Sequence, residues 1–153
     1  MIKYFYNLYF EYDETIDLSG KMQKSSCNIG YFSSKKKAKE IITSYKDKPG
    51  FNQYPIECFK IQKIGLKFDH EIGNKTGIAL YELSHEFEFE KGKDEWTIFG
   101  VYNSEVNAQK EQHQQMKKRK YATLQSGFNI AKWKVDVDFE WKEGFESFSN
   151  AIS

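Results

Sequence analysis

The sequence contains two similar segments about seventy residues apart, and this internal repeat constrains the fold more than any other feature. Residues 29–34 read Ile-Gly-Tyr-Phe-Ser-Ser, and residues 99–104 read Phe-Gly-Val-Tyr-Asn-Ser. Self-similarity at a fixed spacing identifies a structural unit that the chain uses more than once. Because 153 residues are the length of one ordinary domain, we predict a single domain, 1–153, built from two repeats at about 1–72 and 76–146 with a short C-terminal tail.

Each repeat shows the same order of predicted elements: strand, strand, helix, strand. Alternation of apolar and polar residues predicts the strands, and a serine or asparagine before a charged stretch predicts each helix start. In chain order, the predicted strands cover residues 2–12, 27–32, 56–68, 81–90, 96–102 and 127–141. Residues 13–25 are typical of a long polar loop, and Lys91-Gly92-Lys93 of a hairpin turn. The fold class is therefore α+β: a tandem pair of ββαβ units, mainly antiparallel sheet, with one helix per unit packed on one face.

The apolar pattern changes phase inside both closing strands. Phe59 and Ile61 occupy odd positions, whereas Ile64 and Leu66 occupy even ones, and the second closing strand behaves in the same way. A slip of this kind predicts a β-bulge in each closing strand.

The second predicted helix is much more polar than the first. Three hydrophilic residues replace the apolar stripe of the first helix: Glu111, Gln112 and Gln115 stand at the positions of Ile41, Ile42 and Tyr45. Its expected apolar contacts are Val106, Ala108 and Met116. A helix this polar is predicted to dock weakly, to be slightly rotated, or to pack against another partner.

The helix entry and the end of the second repeat resemble a family of small bacterial ββαβ-repeat proteins. The matching residues are the Gly-aromatic-Ser-Ser entry at 30–34 and the ending Trp141-Lys142-Glu143-Gly144-Phe145, which the first repeat lacks at 68–71. The resemblance covers nearly the whole chain. Some proteins of this kind look like immunity proteins, which are encoded beside secreted toxins and neutralise them. The resemblance therefore implies protein binding, and it carries no catalytic residue set.

No pattern of catalytic, cofactor-binding or metal-ligating residues stands out. None of the three histidines has a partner at metal-ligand spacing, and no glycine-rich phosphate loop is present. Cys27 and Cys58 are expected to be reduced thiols, with a disulfide as the alternative. We therefore expect no cofactor, no metal and no enzyme activity, with an enzyme of unknown class as an alternative.

The net charge and the N-terminal sequence indicate which classes of partner to expect. The net charge is only +1, which disfavours a nucleic-acid binder, although the lysine-rich runs at 35–37 and 117–120 keep a weak nucleic-acid interaction as an alternative. Met1-Ile2-Lys3-Tyr4 opens directly into strand-like sequence with no secretion-signal pattern, so we expect a cytoplasmic protein without a membrane partner.

A ladder of acidic residues gives the sharpest functional prediction. Carboxylates alternate along one face of two predicted strands, at Glu82, Glu86, Glu88 and Glu90 and at Asp136, Asp138 and Glu140. Like charges that crowd one surface destabilise it, so such a face predicts a basic protein partner, for example a toxin domain. An ordinary solvated face is the alternative. The sequence predicts a monomer or a homodimer.

Overall fold

The computed structural model describes residues 1–15, 18–90 and 93–146, with the backbone alone at 88–90 and 93–95. The expected hairpin turn at Lys91-Gly92-Lys93 lies largely outside these residues. The described elements, in chain order, are β1 (Ile2–Thr15), β2 (Met22–Phe32), α1 (Lys35–Tyr45), β3 (Phe59–Lys67), β4 (Ala79–Glu90), β5 (Lys93–Tyr102), α2 (Glu105–Met116) and β6 (Phe128–Lys134). This order confirms the α+β prediction of two similar ββαβ units.

Each unit forms its own three-stranded antiparallel sheet. The strand order is β2-β1-β3 in the first sheet and β5-β4-β6 in the second, so the first strand of each unit lies in the centre. Helix α1 contacts the strands of the first sheet, and α2 contacts those of the second. Ser34 and Ser104 cap the two helices, each accepting a hydrogen bond from a backbone N–H three residues later.

The two sheets face each other, and the helices cover their outer faces. On β1, Leu8 and Phe10 point toward α1, whereas Phe5 points toward the second sheet. The apolar cluster between the sheets, called here the inter-sheet core, contains buried residues from both repeats: Phe5, Tyr31, Phe68, Leu80, Trp133 and Val135. Burying this surface joins the two repeats, because apolar area removed from water stabilises the packed state.

The β-bulges predicted for the closing strands are wrong, because β3 and β6 pair without a register shift. The shifts lie in the other two pairings: opposite Leu8/Tyr9 in β2, opposite Leu83/Ser84 in β5, and between Glu88 and Glu90 in β4. The phase change in β3 has another cause. Its first half packs on the helix side and its second half packs on the other sheet, so both faces are covered in turn.

The two helices differ in their apolar contacts as predicted, but one predicted contact of α2 is wrong. Ala38 and Tyr45 of α1 are buried, as expected from its apolar stripe. In α2 the buried residues are Ala108 and Gln115, whereas Val106 is exposed, so its predicted packing role is wrong. The burial of Gln115 is tolerated because its amide donates to the Glu111 carboxylate at 2.8 Å, one helical turn earlier.

The final predicted strand is too long, because β6 ends at Lys134 and a turn follows. Asp136 adopts a φ of 64°, a left-handed conformation that a strand cannot continue through. The chain then runs along the edge of β2. The backbone N–H groups of Asp136 and Glu140 donate to the carbonyls of Tyr31 and Ile29, both at 2.9 Å. The second repeat thereby extends the first sheet.

Two further segments differ from expectation. Residues 13–15 and 22–25 are not a loop, because β1 and β2 continue as a polar hairpin up to the pair Thr15 and Met22. Backbone hydrogen bonds and polar side-chain contacts hold this extension, for example the Ser25 hydroxyl that donates to the Glu14 carboxylate at 3.0 Å, so apolar alternation could not reveal it. At the other end, Phe145 of the tail is buried in the helix-side core of the first repeat, against Phe10 and Phe51.

Candidate binding groove

A chain of buried polar side chains joins the two repeats at the edge of the inter-sheet core. Asn7 donates to the Asn28 side-chain oxygen at 2.7 Å, and Asn28 donates to the Glu82 carboxylate at 2.7 Å. Tyr31 donates its hydroxyl to the same Glu82 oxygen. Satisfied buried networks of this kind favour one specific arrangement of the elements that they connect.

Burial controls the ionisation of this network. Glu82 is only 4% exposed, and desolvation raises the pKa of its carboxyl group, although the hydrogen bonds from Tyr31 and Asn28 partly offset that effect. Desolvation also raises the pKa of the Tyr31 hydroxyl, with the Glu82 charge as a second cause. The tyrosine therefore stays protonated and remains the hydrogen-bond donor.

Beyond this network the two sheets leave an open groove. Two cavities of about 450 Å³ and 420 Å³ lie between them and share Ser26 and Asn28 in their walls. Along β1 the inward positions pass from Phe5 in the core to Tyr9 and Glu11 in the groove. We call the two cavities together the inter-sheet groove. Its size is that of a typical ligand-binding pocket.

The smaller cavity gathers all three tryptophans of the chain. They come from three separate elements: Trp96 from β5, Trp133 from β6 and Trp141 from the segment along β2. Its remaining lining residues are polar or acidic, namely Ser26, Asn28, Glu82, Glu86 and Glu140. We call this cavity the tryptophan cleft. Trp96 and Trp141 are 44% and 42% exposed, so much of their surface remains open to a partner.

The tryptophan cleft is negatively charged, and the described part of the chain places no neutralising cation in its wall. No Lys or Arg lines it among the described residues, and neither Glu86 nor Glu140 makes an ion pair there. Lys132 and Lys142 line a separate cavity that shares Trp133 and Glu140. A low-dielectric wall beside uncompensated carboxylates strengthens the local attraction for cations.

Trp133 also carries an unused hydrogen-bond donor. The residue is nine-tenths buried, and its indole Nε1–H has no partner within the part of the chain that the structure describes. Buried polar groups normally have a partner. Trp141 is unusual in another way, since its φ of 62° places a bulky residue in the left-handed region.

Three of the seven predicted partner-binding carboxylates meet at the tryptophan cleft, namely Glu82, Glu86 and Glu140. The continuous acidic sheet face does not form, because Asp136, Asp138 and Glu140 lie beyond the end of β6. Glu82 is buried in the network instead of facing solvent. The side chains of Glu88 and Glu90 lie outside the described residues.

The carboxylates of Asp136 and Asp138 accept hydrogen bonds that stabilise the turn after β6. Asp136 accepts hydrogen bonds from the Ser33 N–H at 2.9 Å, the Thr76 hydroxyl at 2.6 Å and the Lys37 ammonium at 3.1 Å. Burial alone would raise the pKa of the Asp136 carboxyl, but these hydrogen bonds outweigh it and lower the pKa. Asp138 accepts from the Lys134 N–H at 2.7 Å.

His85 and the two cysteines lie outside the inter-sheet groove. His85 is buried against Tyr121 and Phe128, with its Nε2 2.7 Å from the Leu124 carbonyl oxygen. Cys27 and Cys58 are both free thiols, as predicted. Within the described ranges no group of three His, Cys, Asp or Glu residues could hold a metal ion.

The tryptophan cleft could not be predicted from the sequence. Its aromatic residues lie on elements that no local pattern connects, and the sequence marks Trp141 only as part of a closing motif. The available signal was that Trp96 and Trp141 have charged neighbours in the sequence, which is typical of an exposed aromatic residue. Large exposed aromatic residues are enriched in protein interfaces.

Comparison with known proteins gives a limited result. Residues 23–72 match the model of a domain of unknown function, DUF7336, which here covers β2, α1 and β3. No curated protein and no solved structure matches the chain. Among the described residues, the helices are too short and too polar to cross a membrane.

Proposed function

We propose that this chain is a non-enzymatic binding protein, an immunity-type inhibitor that captures a basic toxin domain in the cytoplasm. The observation that carries the proposal is the tryptophan cleft, where exposed Trp96 and Trp141 stand beside Glu86 and Glu140. Tryptophan is among the residues that contribute most to binding energy at protein interfaces. The surrounding carboxylates add negative charge that favours a basic partner.

The groove provides more contact surface than the tryptophan cleft alone. Ile98, which is 41% exposed, lines the neighbouring cavity together with Tyr9 and Glu11. Apolar anchors with a polar and charged rim are the usual composition of a specific interface. A partner segment seated along the inter-sheet groove would contact both repeats, so the protein could cover a basic active site without any chemistry of its own.

The test is binding to the C-terminal domain of a large secreted protein encoded immediately upstream. We expect tight binding in calorimetry and rescued growth of cells that express this toxin domain. Replacing Glu86 and Glu140 together by lysine should slow association and reduce its salt dependence, since both charges steer the encounter. Absence of binding, or of any such upstream gene, would contradict the proposal.

A single charge reversal outside the groove distinguishes the role of the groove from a general effect of net charge. Glu40 is exposed on α1, on the outer face of the first sheet. The variant Glu40→Lys changes the net charge in the same direction but lies away from the groove. We expect it to retain the association rate of the unmodified protein to within about a factor of two. An equal slowing in both variants would remove the groove from the mechanism.

The nucleic-acid alternative has less support. Lys37 is engaged by Asp136 at 3.1 Å and by the Thr76 hydroxyl at 3.3 Å. The lysine-rich run 35–37 forms the first turn of α1 and the run 117–120 follows α2, and the two helices cover opposite outer faces of the sheet pair. Nucleic-acid binding usually needs one continuous basic surface. Retention on an oligonucleotide at low salt, lost steeply as salt is added, would revive this alternative.

A further inference from the structure

We infer that the tryptophan cleft is a binding site for an arginine side chain. The inference deepens the proposed function, because it names the chemical group through which a basic partner would enter the groove. It rests on three observations: every tryptophan of the chain lines the cleft, its carboxylates have no cation beside them in the described part of the chain, and the buried Trp133 donor has no partner there.

The chemistry of the walls selects a planar cation. Tryptophan is the aromatic side chain that attracts cations most strongly, through the negative face of its ring system. Carboxylates of Glu86 and Glu140 supply the opposite charge. A guanidinium group satisfies both, since it stacks on aromatic rings and donates two parallel hydrogen bonds to one carboxylate.

The size of the cleft and the hydrogen-bonded Glu82 in its wall are compatible with a bound arginine side chain. A volume of about 420 Å³ exceeds what one arginine side chain fills, which leaves room for the adjoining main chain. Glu82 already accepts from Asn28 and Tyr31, so it belongs to the wall and not to the set of free ligands. The Nε1–H of Trp133 is a buried donor without a partner among the described residues, and a main-chain carbonyl of the partner would satisfy it if binding makes the indole accessible.

Intrinsic fluorescence gives a direct readout of this site. Because all three tryptophans line the cleft, tryptophan emission reports mainly on the cleft, with Trp133 also sensing the inter-sheet core. The probe is Nα-acetyl-arginine amide, titrated into the full-length protein. We expect saturable quenching with a dissociation constant on the order of 1 mM, the range of a small ligand held by few contacts.

The matched probe is Nα-acetyl-citrulline amide, which has the same shape without the positive charge. We expect it to bind roughly tenfold more weakly or not at all, since hydrogen bonds to charged groups are the strong ones. The corresponding lysine amide should bind with intermediate strength because it lacks the planar group. Equal binding of arginine and citrulline probes, or no saturable change with any probe, would overturn the inference.

Variants assign the binding to the named residues. Replacing Glu86 and Glu140 together by glutamine should weaken the arginine probe at least roughly tenfold. Glu11→Gln is the control, because Glu11 lines the other cavity of the groove and not the cleft. Equal effects of the double variant and the control would exclude the site. Far-ultraviolet circular dichroism of each variant verifies that the fold is retained.

The outcome can be separated from that of the proposed function. If the arginine probe binds but the upstream toxin domain does not, the site stands and the immunity function fails. If the toxin domain binds with the same affinity to the Glu86→Gln/Glu140→Gln variant and resists competition by the probe, capture stands and the arginine site is excluded.

Discussion

Tyr31 of the first repeat donates its hydroxyl to the carboxylate of Glu82 in the second repeat, and both residues are buried. The two lie on the facing sides of the two sheets. Asn28 donates to the same Glu82 oxygen, so a single carboxylate holds two groups of the other repeat. This contact separates the packed inter-sheet core from the open groove, and it fixes the position of one wall relative to the other.

The first prediction concerns the pH dependence that this buried carboxylate imposes. Burial raises the pKa of Glu82, so the folded protein holds the proton more tightly than the unfolded chain does. The free energy of unfolding should therefore fall as the pH rises from about 4.3, the ordinary glutamate value, through the higher folded pKa. Glu82→Gln keeps the shape and removes the charge, so urea unfolding at a series of pH values should show this fall only in the unmodified protein.

The control for that prediction is Glu86→Gln, because Glu86 is exposed. It should keep the pH dependence of the unmodified protein. Parallel curves for the unmodified protein and Glu82→Gln would mean that Glu82 ionises in the folded state as it does in the unfolded chain.

The second prediction has the opposite sign and concerns Asp136. Hydrogen bonds from Ser33, Thr76 and Lys37 outweigh the effect of burial and lower the pKa of this carboxyl. Its contribution to stability is therefore present above the ordinary aspartate value of about 3.9 and is lost as the pH falls through the lower folded pKa. Asp136→Asn should be less stable than the unmodified protein at neutral pH, with the difference shrinking below about pH 4.

Asparagine is the right replacement because Asp136 has a φ of 64°, a conformation that asparagine tolerates better than alanine does. Asp136→Ala should therefore destabilise more than Asp136→Asn at every pH. If the two variants behaved alike and neither changed the acid limb of the unfolding curve, the carboxylate would have no electrostatic role in the turn.

The repeat and its order of elements were predictable because each unit carries its own local signals. Gly30 and Gly100, with the serines that follow, mark the same passage from strand to helix. Alternation along β1 and β4 then gives the central strands. Residues in these segments depend mainly on neighbours close in sequence, so the pattern and the fold agree.

The contacts between the repeats could not be predicted in the same way. The partner of Glu82 is Tyr31, about fifty residues away, and nothing in the alternation of β4 distinguishes Glu82 from the exposed Glu86. The sequence pattern showed only a polar face. Which part of that face is covered depends on how two sheets stack, a long-range property that strand periodicity does not contain.

The third prediction concerns the C-terminal tail, which completes the core of the first repeat. The ring of Phe145 is buried, with its centroid 4.8 Å from that of Tyr12 and 5.0 Å from that of Phe51. Phe145→Ala should lower the free energy of unfolding by about 3–5 kcal/mol, the usual cost of deleting a buried aromatic ring. Ile56→Ala at an exposed apolar position is the control and should change it by less than about 0.5 kcal/mol. If Phe145→Ala lowered the free energy of unfolding as little as Ile56→Ala does, the tail would not be part of the core.

The fourth prediction isolates the contact that seats this tail. Gly144 and Gly77 both have positive φ, 81° and 86°, so alanine at either position costs about 1–2 kcal/mol of backbone strain. The two differ in their surroundings. A Cβ on Gly144 would clash with the Pro49 carbonyl oxygen, whereas a Cβ on Gly77 would meet no atom within 4 Å.

Gly144→Ala should therefore destabilise the protein by about 1–3 kcal/mol more than Gly77→Ala, the usual cost of forcing extra atoms into a packed site. The excess arises because Pro49 must move, and with it the carbonyl that accepts the Phe145 N–H at 2.9 Å. Denaturant unfolding of the two variants measures the difference directly. Equal losses would show that the tail and the Pro49 turn adjust without cost, and that the closing motif does not hold the tail in place.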